Sequence, residues 1–66
     1  MGLRFECEFD CNNSEFMGDM FPLAVYYTLR RVSNSVENAR PVGATHSQSI
    51  LDVNGNRIGT WKVVET

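Results

Sequence analysis

The chain has 66 residues, 42% of them hydrophobic and 21% charged, with a formal net charge of -2. At this length folding removes only about 60% of the unfolded chain's surface from water, so residues 1–66 can form one small domain with a thin core, and the apolar content argues against intrinsic disorder. A negative balance leaves no basic surface for gripping phosphates, which makes nucleic acid an unexpected ligand; the chain shows neither a leader pattern nor an apolar run of membrane-spanning length, so the expected setting is the cytoplasm, away from membranes.

Residues 3–11, Leu-Arg-Phe-Glu-Cys-Glu-Phe-Asp-Cys, alternate apolar and charged side chains without a break, the pattern of a strand with one buried and one wet face. Leu3, Phe5, Cys7, Phe9 and Cys11 fall on the apolar face; Arg4, Glu6, Glu8 and Asp10 fall on the other. Cys7 and Cys11 would lie about 13 Å apart along such a strand, too far for a mutual disulfide, and read as free thiols in the core. The acids recur on one face at intervals of about 6.6 Å, comparable with phosphate spacing along a nucleic-acid strand. Glu6, Glu8 and Asp10 are therefore candidate contacts for a basic groove on a partner protein, against the plainer reading of a solvated sheet face.

The next segment, residues 12–21, mixes turn formers with Phe16, Met17, Met20 and Phe21. It reads as an adhesive loop that could hold a short helical turn. Pro22 suits the first turn of a helix, with Asp19 placed to favour the dipole, and Phe21, Val25, Leu29, Val32 and Val36 recur at helical spacing. The spacing predicts a helix from Pro22 to about Asn38 with that stripe on the sheet. A strand from Leu23 to Val32 is the rival reading, disfavoured by length and by Arg30 and Arg31. Leu23, Tyr26 and Tyr27 then point away from the stripe, and a helix that is apolar on more than one side calls for a second surface, for which a homodimer is the simplest candidate.

Arg40, Pro41, Val42 and Gly43 are placed to stop the helix. The remainder reads as a hairpin, residues 47–53 and 57–65, joined by a type I′ turn at Asn54-Gly55. Trp61 and Val63 should share a face, and Gly59 suggests a bulge or a close backbone crossing. The expected fold is α+β, β-α-β-β: a mostly antiparallel three-stranded sheet in the order 1-3-2, with one helix on one face joined by a right-handed crossover.

Chemistry is sparsely represented. His46 is the sole histidine and reads as an exposed loop residue; no metal-ligand set, phosphate-cradling loop or dinucleotide fingerprint is present, so neither catalysis nor a cofactor or metal is expected. Residues 1–21 hold one base against five acids, the rest five bases against three acids. The expectation is a small non-catalytic module that binds a larger protein of unknown identity as inhibitor or adaptor, through Glu6, Glu8, Asp10, Phe16, Met17, Met20, Tyr26 and Tyr27. In size and charge alone the chain resembles the small inhibitors encoded by phages, anti-CRISPR proteins among them. The alternative is a small-ligand or nucleotide-binding oligomer with pockets between subunits, lined by Arg30, Arg31 and a tyrosine.

Overall fold

The computed structural model describes residues 2–40 and 45–66. Strand β1 (Leu3–Phe9) leads through two 3-10 turns, Ser14–Phe16 and Gly18–Met20, into helix α1 (Phe21–Ala39), which is followed by β2 (His46–Leu51) and β3 (Arg57–Glu65). The sheet order is β1-β3-β2 with both pairings antiparallel, so the α+β arrangement and the strand order suggested by the sequence are the ones found. β1 is shorter than the alternation implies, since Asp10 donates its N–H to Ile58 C=O (2.8 Å) and the chain then leaves the sheet.

The helix starts one residue before the predicted point, with Pro22 in its first turn. Its last carbonyls are closed by Arg40, which adopts a left-handed conformation (φ 48°) and donates its N–H to Val36 C=O at 3.0 Å. The stop expected at Pro41, Val42 and Gly43 lies outside the described residues.

The core is centred on β3. Trp61 is completely buried and clusters with Val32, Ile50 and Val63. Its ring stacks on Phe5 on one side (centroids 5.9 Å apart) and His46 on the other (5.4 Å). Because a buried indole N–H must find an acceptor, the helix is set where Ser35 Oγ can take it, at 3.2 Å; the Ser35 hydroxyl in turn donates to Gln48 Oε1 at 2.7 Å. Arg31 adds a second clamp, donating to the Leu51 carbonyl at 3.1 Å.

These ties turn the helix from the expected face. The buried stripe runs through Thr28 and Val32, with Val25, Ser35, Val36 and Ala39 half-buried, whereas Phe21 and Leu29 remain 46% and 47% exposed. His46 is correspondingly the first residue of β2, half-buried against the indole, and not a loop residue. Phe16 fills the end of the core beside Phe9.

The hairpin turn also differs from the type I′ expectation. Among the described residues only Arg40 has a positive φ without being glycine, so Asn54 does not supply the left-handed geometry that turn needs. Instead Gly55 (φ 85°) donates to Asp52 C=O at 3.1 Å, and Asp52 N–H donates to Asn56 C=O at 2.8 Å, making a longer loop with glycine at its left-handed position. The β2–β3 register shifts between Ile50, opposite Gly59, and Leu51, opposite Arg57, so that Ile58 is an extra residue on β3.

Gly59 lies opposite Phe9, and there the backbones approach so closely that a methyl group would overlap the Glu8 carbonyl and the Phe9 Cα. Backbone cannot yield as a side-chain end can. Gly59→Ala should therefore pry β1 from β3 and lower the unfolding free energy by about 2–3 kcal/mol; a urea midpoint equal to that of the wild type would show that the sheet absorbs the methyl group.

Candidate functional site

A helix with its side chains is about 10–12 Å across, and strands lie about 4.8 Å apart, so one helix covers about two strands of three. Anchored over β3 and β2 by Trp61 and Arg31, α1 leaves β1 uncovered. Leu3 and Phe5 are 53% and 50% exposed, and Cys7 is exposed too, a correction to the expected core position of its thiol. Together with Leu29, Val32, Val36 and Val63 they line an apolar groove of about 700 Å³ between β1 and the helix. Desolvation in the groove pushes the Cys7 thiol above its ordinary pKa. Cys11 is half-buried, and both cysteines are free.

A second apolar hollow, of about 500 Å³, lies elsewhere on the helix and is lined by Met20, Leu23, Tyr27, Arg30, Arg31 and Val53 among others. Leu23, Tyr27 and Arg30 share it because residues three and four apart stack on one helical face. Tyr26 joins Tyr27 edge-on (5.3 Å) and lies beneath the Arg30 guanidinium (5.9 Å). Of the candidates from the sequence, Met20 and Tyr27 meet here with Tyr26 alongside; Met17 is exposed but does not line the hollow. Phe16 is only 3% exposed and cannot belong to an outer apolar surface. Its aromatic partner Phe9 holds it inside.

The acidic row is interrupted by bases. Glu6 accepts from Arg4 at 2.7 Å and meets Lys62, its cross-strand neighbour, at 3.4 Å. The Arg4 hydrogen bond, ahead of the Lys62 contacts, holds the Glu6 carboxyl below its ordinary pKa. Glu8 and Asp10 are exposed.

Asp52 binds two loops together and was not singled out by the sequence. Its Oδ1 accepts the N–H groups of Asn54 (2.9 Å) and Asn56 (2.8 Å), and its Oδ2 accepts the Asn13 amide (2.9 Å). Glu15 reaches the same turn, accepting from Val53 N–H at 3.4 Å. The 3-10 segment is thus fastened to the hairpin. An Asp two residues before Asn in a turn is a sequence cue for such self-capping, but the Asn13 contact, 39 positions away, leaves no local trace.

Among the described residues no group of three or more His, Cys, Asp or Glu side chains is arranged to hold a metal ion, and no helix is long and apolar enough to cross a membrane. Comparison with known protein families, with curated proteins and with solved structures finds no match to this chain.

The Asn56 N–H, followed by the Asn54 N–H and the Asn56 and Asn13 amides, outweighs desolvation and holds the Asp52 carboxyl below its ordinary 3.8. A depressed folded-state value stabilises the fold above the unfolded value, and that contribution is lost as pH falls through the folded one. Thermal unfolding followed by circular dichroism should therefore show wild type losing stability below about pH 4. Asp52→Asn should be less stable at neutral pH and lack this share of the acid loss. Glu6 titrates in both chains, so parallel curves would remove Asp52 as the cause.

Proposed function

We propose that the chain is a non-catalytic protein-binding module that works as a homodimer in the cytoplasm and serves as inhibitor or adaptor of a larger protein. The observation that carries this reading is the amount of large apolar surface left bare on so small a domain: Leu3, Phe5, Met17, Met20, Phe21, Leu23, Tyr26, Tyr27, Leu29 and Val53 are all exposed. Scattered apolar residues on a surface are ordinary, but contiguous ones lining hollows mark sites of association. Tyrosine beside arginine is the composition of energetic centres in protein interfaces. Met20, Leu23, Tyr26, Tyr27 and Arg30 therefore form the face offered to the foreign partner, with methionine supplying a side chain that adapts to shape. Free cysteines suit a reducing compartment.

One observation favours a second reading. Arg30, Arg31 and Tyr27 line the same hollow within one chain, the combination of cations and aromatic ring that an anionic, ring-bearing ligand such as a nucleotide would use.

Tagged wild-type protein should capture a defined partner from cell lysate. With that partner purified, Leu23→Asp and Tyr27→Asp should each weaken binding by at least about 30-fold while leaving the far-UV spectrum intact. Undiminished affinity in both variants would remove the helix face from the interface. In a thermal-shift screen with ATP, GTP and cyclic nucleotides, the protein-binding reading expects no change, whereas saturation at about 100 times a dissociation constant would add roughly 2.7 kcal/mol of stability and favour the second reading.

A further inference from the structure

The homodimer in the reading above can be given a seam. Thr66 N–H donates to Gly2 C=O at 2.9 Å and Asp10 N–H to Ile58 C=O at 2.8 Å. In an antiparallel pair hydrogen-bonded positions alternate, so the even-numbered residues of β1 direct their backbone groups to β3. The odd-numbered ones, Leu3, Phe5, Cys7 and Phe9, direct theirs out of the open edge of the sheet. Of these, Leu3, Phe5 and Cys7 carry their side chains on the uncovered face. An edge with unpaired backbone groups and a bare apolar flank is a template for another strand.

We propose that two copies of this chain join antiparallel through β1, about a twofold axis at Phe5, to form one continuous sheet ordered β2-β3-β1-β1-β3-β2. Charge selects both the occupant and the register. Outward backbone groups meet only when odd residues face odd residues, which places the axis on a residue and not between two. An axis on Arg4, Glu6 or Glu8 would set that charge against its own copy. An axis on Cys7 would set Glu6 against Glu8 of the second copy, twice. Only the axis at Phe5 sets Arg4 opposite Glu6 of the second copy, twice, with no like charges facing. Directly opposed charges of one sign destabilise a strand pair and opposite signs stabilise it, so β1 is complementary to itself in this single arrangement.

The apolar face agrees with that register. Phe5 meets Phe5 of the second copy and Leu3 meets Cys7, which are the β1 residues that line the groove. The interface is isologous, as twofold dimers require. Each groove then opens onto the seam, and Leu29 of each helix faces it from one side.

The test is a charge exchange that separates contacts within a chain from contacts between chains. Arg4→Glu yields an edge with acids at both positions and Glu6→Arg one with bases at both; each alone sets like charges across the seam. Wild type should sediment at twice the 7.5 kDa of one chain, and each variant should raise the dimer dissociation constant by about tenfold or more. Mixing the two variants should restore association to within about threefold of wild type as a one-to-one heterodimer. Within-chain pairing of Arg4 with Glu6 is lost in both variants, so mixing cannot rescue it. A wild-type dimer unaffected by either substitution, or variants that stay apart when mixed, would overturn the β1 seam while leaving the homodimer reading to another face. A wild-type monomer at every concentration would overturn both, without bearing on capture of a foreign partner by the helix.

Discussion

Burial of a single indole governs this molecule. Trp61 occupies the central strand, and every other element touches it or is positioned by something that does: β1 through Phe5, β2 through His46, and α1 through Ser35. Removing a large aromatic side chain from a core costs about 3–5 kcal/mol. A domain of this size has a total stability of roughly 3–10 kcal/mol, so one side chain accounts for a large share of the reason the chain folds. The hydrogen-bonded relay from Trp61 to Ser35 to Gln48 gives that burial direction as well as energy. An apolar residue in its place could fill volume without specifying where along β3 the helix must rest.

The position of the helix in turn decides what remains exposed. Thr28, not Leu29, lies at the closest packing, and Arg31 is held against the end of β2. This rotation brings Thr28 and Ser35 inward beside Val32 and turns Phe21 and Leu29 outward, a partial departure from sorting by hydrophobicity. The cost is offset by the hydrogen bonds that Ser35 and Arg31 make with Trp61 and the Leu51 carbonyl. The same displacement leaves β1, one strand of three, without a cover, and so the anchored core and the bare apolar surface have one origin.

Period-two alternation in β1, the helical spacing from Phe21 onward and the turn residues near Gly55 make the element order legible in the sequence, whereas the strand order, though it matches the one favoured, is carried by none of these local signals. What escaped was whatever depends on relative placement. Alternation identifies an apolar face but not whether another layer reaches it, so it places Cys7 in the core although the thiol is exposed. Helical periodicity tolerated a stripe centred on Leu29 or Thr28 almost equally, and the choice was made by Ser35 meeting an indole 26 positions later. Phe16 looked adhesive because its partner, Phe9, belongs to another element. In the turn, Asn54-Gly55 pointed to the right place and the wrong geometry, since the Asp52 carboxylate caps the backbone of a longer loop.

The composition of the two outer strands gives the two margins of the sheet unequal prospects. The extra residue in the β2–β3 register, Ile58, lies on the central strand β3, while β2 carries histidine, serine and glutamine where β1 carries alternating charge and apolar bulk. Growth from that margin is discouraged. A small protein with two equally receptive margins would polymerise without limit, as fibre-forming segments do; one receptive margin closes on itself and stops. Under the β1 seam proposed above, the polar outer margin of β2 is the end at which assembly would stop, and apolar substitutions there would shift the risk from misfolding of one chain to uncontrolled stacking of many.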